Sequence, residues 1–283
     1  MEEIFRAFKE NKPALLSFFF ILIVIITAIF AGLISPHNPD RINVDAILLP
    51  PGWHHILGTD QLGRDVLSRL IYGSRISIEV GFIAVSISLL IGVPLGAYAG
   101  YYGGLADSIL MRFVDIMLTF PSFFLILAIS AILKPSIINI MIIIGLTSWM
   151  GIARIVRAEF AQNREKDYVQ AARASGAGGS YIMFSEILPN AMAPILVYAT
   201  LGIAGAVLIQ ASLAFLGIGI MPPTASWGGM LSGGKTYIMV AWWLTLFPGL
   251  AILFMVLSLN LIGEALRDAL DPRYKGLKLR KVS

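Results

Sequence analysis

Four stretches of this chain carry no acidic, basic or histidine side chain: 24 residues between Lys12 and His37, 27 between Glu79 and Asp107, 48 between Glu186 and Lys235, and 28 between Lys235 and Glu264. A water-soluble fold covers its core with charge, and runs of this length leave nothing to cover it with. About 20 mostly apolar residues cross the hydrocarbon of a bilayer as a helix. Two further runs, 116–133 and 135–153, are close to spanning length and are separated only by Lys134-Pro135. The 48-residue run is too long for one crossing. Its second half holds Gly217, Gly219, Pro222, Pro223, Gly228 and Gly229, which predicts one helix followed by a re-entrant or surface loop.

Six crossings follow, at about 13–34, 78–101, 110–133, 137–157, 191–213 and 238–263. Lipid offers no hydrogen-bond partners, so the backbone of each must satisfy itself as a helix. A barrel strand alternates apolar and polar residues, whereas this chain has unbroken runs such as Phe18 to Ile26. The expected class is an all-α membrane protein. A composition of 57% hydrophobic and 13% charged residues without cysteine excludes a disordered chain, a disulfide scaffold and thiolate chemistry. The basic start and Ala28-Ile-Phe-Ala31 resemble a secretory signal, but the apolar run is too long and more spans follow, so an uncleaved first crossing is expected.

Cation placement orients the spans. With the N-terminus inside, inner segments hold 15 Lys and Arg and outer segments 6, which predicts cytoplasmic termini. The net charge of +4 is thus a topology signal; no basic stripe interleaved with aromatics points to nucleic acid. Three units are expected: 1–77, a first helix plus an extracytoplasmic amphipathic segment; 78–274, a core of five helices with a cytoplasmic loop at 158–190; and 275–283, a basic cytoplasmic tail.

Within the first unit, Thr59 or Asp60 is placed to cap a helix. Leu62, Val66, Leu67, Leu70 and Ile71 then share one face, with Arg64, Asp65 and Ser68 opposite. That spacing predicts an amphipathic helix on the outer surface or packed within the loop. In the second crossing Gly92, Gly96, Gly100 and Gly104 recur every four residues, a stripe that lets a neighbouring helix approach closely.

The 158–190 loop holds Glu165 to Ser175, rich in helix formers, with acidic Asp167 near its start and Gly176, Gly178 and Gly179 at its end. Ala171, Ala172 and Ala174 make a low-profile surface, and Tyr168, Val169 and Arg173 are its anchors. Such a helix suits a socket on another protein or the lipid surface, and the residues alone leave both open. A second helical run, Tyr181 to Leu188, leads to Pro189.

Gln170-Ala171-Ala172, Gly176 and Ile187-Leu188-Pro189 resemble the "EAA" loop of ABC importer permeases, with Gln170 where the motif has Glu. Three further segments are similar to permeases of the dipeptide, oligopeptide and nickel importers: Leu57 to Asp65, Phe215 to Gly228, and Leu266 to Arg273. The resemblance runs from about 14 to 274. It implies a MetI-like permease fold whose loop is a coupling helix, with Asp167, Tyr168, Val169, Gln170, Ala171, Ala172, Arg173 and Gly176 docking an ATPase. It implies a homologous second permease subunit, two ATP-binding subunits that hold ATP and Mg, and an extracytoplasmic solute-binding protein. The chain itself would bind no cofactor and catalyse nothing. It would sit in a bacterial or archaeal cytoplasmic membrane and import di- or oligopeptides, with nickel as the alternative cargo. A channel is the alternative of another class, though no filter or charged ring stands out.

Other signals are weaker. Gln210, Ser212 and Asn260 interrupt apolar runs and are the candidates for lining a path or bonding between helices. Gly229 to Thr236 matches the phosphate-loop pattern but follows no strand, and a coincidence is expected. His54 and His55 diverge as chain neighbours, so together with His37 they predict no metal site. Arg112 and Asp115, three apart on one helix, predict an intrahelical pair.

Overall fold

The computed structural model describes residues 11–133, 136–220 and 222–270. The expected basic tail 275–283, Arg273 of the last motif, and Lys134 lie outside the described residues. Within them the regular elements are helices, with one isolated bridge between Thr59 and Asp65.

Helix α1 (Lys12–Ile29) starts where the Asn11 side chain accepts from the Ala14 amide at 3.2 Å, with Pro13 in the first turn, where its missing N–H is no loss. It buries few residues and packs on α2 and α9 from the periphery. Helix α2 (Val66–Tyr102) has 37 residues and is roughly 55 Å long, well beyond the hydrocarbon thickness. Its cap is Asp65, whose Oδ2 accepts from the Ser68 amide at 2.8 Å. The separate amphipathic helix expected before residue 78 is therefore not formed. Gly58 to Asp65 is a tight turn, Val66 to Ile71 are the first turns of α2, and the expected boundary at 77 falls inside a continuous helix. Arg64, Asp65 and Ser68, expected to face water, are buried.

Gly103 and Gly104, both at positive φ, turn the chain out of α2. The third crossing follows as two pieces, α3 (Gly104–Leu118) and α4 (Ser122–Ile132), bent by 76° across Thr119-Phe120-Pro121. Pro121 cannot continue α3 and disfavours helix at Phe120. Helix α5 (Ile137–Asn163) crosses in one piece, and α6 (Asp167–Ala174) is the predicted loop helix. The second loop run is not a separate helix. Gly179–Tyr181 leads through π turns at Ile182–Ile187 into α7 (Leu188–Phe215), and Pro189, which has no N–H to donate, falls directly after the π turns. A loop and the short α8 (Trp227–Gly234) follow, then α9 (Trp243–Leu270). Among the described residues five helices each meet the length and apolarity of a span, and the bent α3–α4 pair is a sixth where its two pieces count as one.

Three of the four expected stripe glycines, Gly92, Gly96 and Gly100, meet α5 inside this same chain, whereas Gly104 opens α3 and has no atom within 4 Å of where a methyl group would sit. A methyl group on Gly92 would lie 2.7 Å from the Trp149 carbonyl oxygen, and methyls on Gly96 and Gly100 would be closer still to the Ala153 and Arg157 carbonyls. Both helices step by four residues at each contact, so the backbones touch along a straight seam. Gly145 of α5 returns the contact against Ile87 and the Ala84 carbonyl. Lipid drives no hydrophobic association between helices, so close van der Waals contact is what holds them.

Candidate functional site

Helix α6 is built to be rigid. Asp167 opens it and Arg173 closes it, both complementary to the helix dipole. Gly176 adopts φ +81°, the Gly176 amide donates to the Arg173 carbonyl and the Ala177 amide to that of Ala172, both at 3.1 Å. This paired closure needs a left-handed residue, which is why Gly stands there.

The inward face of α6 is bolted to three spans. Val169 is fully buried among Phe160, Ile182, Ile187 and Ala191. The Tyr168 hydroxyl donates to Asn163 Oδ1 at 3.1 Å; burial, and after it the negative charge of Glu186, push this phenol above the usual tyrosine range. Gln170 Nε2 donates to the Arg164 carbonyl at 3.0 Å, and Arg164 reaches the Gly100 carbonyl of α2. The Arg173 guanidinium lies 5.5 Å from the Tyr101 ring centre. The eight predicted docking residues thus divide. Val169, Tyr168, Ala172 and Arg173 face or grip the chain's own spans, and Gly176 is the cap. Asp167, Gln170 and Ala171, joined by Ala174, form one exposed stripe at helical spacing.

The three predicted pathway residues do not converge. Gln210 is buried, and neither atom of its amide has a partner among the described residues. Ser212, two positions on and so on another face, is half-buried and bonds the Leu208 carbonyl at 2.8 Å. Asn260 is exposed on α9. A cavity of about 330 Å³ lies instead halfway along the seam between α2, α5 and α7, where Ser88, Ser148, Tyr198, Gly202 and Gly205 line it. Apart from Tyr198 these residues had no sequence signal beyond being small, because three separate helices supply them.

At the end opposite α6, two of the motif segments pack on each other. Asp60 accepts from Arg64 Nε at 2.7 Å and from the Leu62 and Arg64 amides at 2.9 and 3.0 Å. Arg69 bonds the Pro39 carbonyl, Asp40 and the Pro223 carbonyl. The Trp227 indole donates to the Leu70 carbonyl at 2.8 Å and that of Trp243 to the Thr59 carbonyl at 3.1 Å. Segments 57–70 and 222–228 are therefore joined by a polar clasp whose Asp60, Arg64, Arg69 and Trp227 side chains are buried.

Gly229 to Thr236 coils into α8 and a 3-10 turn (Lys235–Tyr237), so its amides are not splayed to cradle phosphate, and the Lys235 ammonium lies 5.3 Å from the Phe215 ring centre. Arg112 and Asp115 are both exposed on α3, and among the described residues α3 is tied by charge to α5 through Asp107 and Arg157, whose Nε–Oδ1 bond is 2.9 Å. The expectation of no clustered metal ligands fails at one place, where His37, His55 and Asp65 bring their ligand atoms within 4.8 Å of one another.

Residues 92–276 match the family described as binding-protein-dependent transport system inner membrane component, and residues 1–51 match the N-terminal transmembrane domain of oligopeptide transport permease C. A dipeptide transport system permease protein of Haemophilus influenzae is 45% identical over 97% of this chain and 95% of its own length. A di/tripeptide transport system permease protein of Pseudomonas aeruginosa is 45% identical over 97% and 93%, and a dipeptide transport system permease protein of Escherichia coli 48% identical over 97% and 94%. Among solved structures, an inward-facing MetNI methionine ABC transporter chain superposes with a TM-score of 0.57 at 17% identity, covering 72% of this chain and 96% of that one.

Proposed function

Because the chain belongs to the family of binding-protein-dependent transport system inner membrane components, multi-pass proteins of the inner membrane, we propose that it is a permease subunit of an ATP-driven importer of di- or oligopeptides. The names of the relatives favour peptide over nickel as cargo. In this reading α6 lies in the cytoplasm with both termini, as the cation count favours, and the Gly58–Asp65 clasp faces outward. The chain performs no chemistry and holds no cofactor; ATP and Mg2+ belong to two partner ATPases, and a solute-binding protein delivers peptide to the clasp end. A second, homologous permease covers the face of α3 where Arg112 and Asp115 are exposed, since charge on a spanning helix is costly against lipid.

The observation that carries the proposal is the division of α6 into two faces. Its apolar side is consumed by Phe160 and Ile182 of its own chain, so it has none left to lie on lipid. Its exposed stripe of Asp167, Gln170, Ala171 and Ala174 is low and polar, with Gln170 tied back to Arg164, and is suited to a protein socket. A push on that stripe passes through Val169 to the base of α7, through Gln170 to the end of α5, and through Arg173 to the end of α2. Peptide then moves by alternating access through the Ser88–Tyr198 cavity.

The test is peptide-stimulated ATP hydrolysis by the assembled transporter in nanodiscs. Ala171→Asp places charge in the socket without touching the inward face. It is expected to cut stimulated hydrolysis about tenfold or more and to release the ATPases on purification. Unchanged coupling with the ATPases still bound would overturn the docking role.

A further inference from the structure

We infer that His37, His55 and Asp65 form a binding site for a divalent transition metal of borderline softness, such as Zn2+, at the end of the bundle opposite α6. The three ligands come from separate parts of the chain: His37 from the turn after α1, His55 from the loop before the clasp, and Asp65 from the cap of α2. The His55 Nδ1–Asp65 Oδ1 distance is 2.9 Å and the His37 Nδ1–Asp65 Oδ1 distance 3.7 Å. The two imidazole rings lie 4.8 Å apart between centroids, tilted by 36°.

This is more convergence than hydrogen bonding requires. Both rings aim a nitrogen at the same carboxylate oxygen, and only one of them makes a short bond to it. Two imidazole nitrogens and one carboxylate oxygen are a donor set of zinc-type sites, at metal–ligand distances of about 2.0–2.2 Å. Drawing His37 in by a side-chain rotation completes the set and leaves an open position toward solvent. The entry path exists, because the His37 side chain is 44% exposed, while Asp65 at 2% is fixed from within.

Asp65 also has the outer-shell support that metal carboxylates need. Its second oxygen, Oδ2, accepts from the Ser68 amide at 2.8 Å and the Ser68 hydroxyl at 2.7 Å, which leaves Oδ1 aimed at the histidines. Ser68 Oγ also accepts from the His37 amide at 3.1 Å, so one hydroxyl sets the position of two ligands. The nearby positive charge of Arg69 is met by Asp40 and Asp60 and does not oppose a cation at Oδ1. Binding displaces the proton that His55 Nδ1 shares with Asp65, which leaves to solvent. The ion would join the end of α1, the loop and the start of α2 at one point.

The test uses the full chain in nanodiscs, purified through a tag without histidine, and Zn2+ titrated against a fluorescent zinc chelator. One Zn2+ per chain is expected. His37→Ala and His55→Ala should each weaken binding about 100-fold, and Ser68→Ala about tenfold, as loss of outer-shell support does. His54→Ala, on the adjacent residue, should change nothing. Saturating Zn2+ should raise the Tm of the wild type by about 5 °C and leave that of the two ligand-histidine variants unmoved. A single cooperative unfolding transition in each metal-free variant establishes that it folds. Absence of stoichiometric binding at micromolar Zn2+, binding that survives both ligand-histidine substitutions, or equal weakening by His54→Ala each overturns the site.

Discussion

The two ends of α2 are held in opposite ways. Toward α6, from Gly92 to Gly100, the helix touches α5 backbone to backbone, and the contact consists of missing side chains. At its start, Asp65 to Arg69 sit in a web of buried charges, caps and indole bonds. The first arrangement is non-directional and relies on fit. The second is directional and specifies where the 35–65 segment and the 215–228 segment rest. A helix beyond spanning length therefore has its inner seam set by shape and its far end set by charge, and the two should fail differently when altered.

The largest effect is expected at the charged end. Asp60→Ala leaves Arg64 and Arg69 buried without their shared partner, and a loss of about 3–5 kcal/mol should appear as a sharply lower yield of monodisperse protein. Gly96→Ala forces a methyl into the Ala153 carbonyl and should cost about 1–3 kcal/mol by thermal unfolding in nanodiscs. If the seam substitution proves the more damaging, the ranking of charge over fit is wrong. Gly176→Ala places a side chain at φ +81° and should cost about 1–2 kcal/mol, loosening α6 first; hydrogen exchange over 167–177 reads that locally. Tyr168→Phe should cost about 1 kcal/mol. The folded phenol titrates above its unfolded value, so its contribution is complete below pH about 10 and is lost as pH rises past it. The phenylalanine variant should lack that alkaline slope.

Much of this was legible in the residues. The spans could be read because charge-free length is a one-dimensional signal, and α6 because its formers, acidic start and glycine end are local. The glycine stripe was visible, but its partner was not, since α5 carries no matching stripe and meets it through carbonyls of Trp149, Ala153 and Arg157. The separate amphipathic helix expected before residue 78 does not form, for a physical reason. Leu62 to Ile71 have helical spacing, but Gly63 takes positive φ and Arg64 is drawn in by Asp60, so the first residues fold as a turn. For the same reason Arg64 and Asp65 looked solvent-facing. In the candidate site, pattern marked which residues belong to α6 but not which face is free; that depended on how the chain folds back to bring Phe160 of α5 and Ile182 of the π turns against Val169. The adjacency of His54 and His55 carries no ligand signal, and the fold instead pairs His37 and His55, 18 positions apart, over one carboxylate.

The π turns at Ile182–Ile187 bear on how the α7 rod meets its neighbours. A regular helix shows each companion the same stripe from bottom to top. One wide stretch near the base shifts the register, so the side chains below it and those above it point along different compass bearings. The lower part can clasp the loop helix while the upper part lies along the bundle, and a single continuous strut serves two unlike joints without a hinge between them.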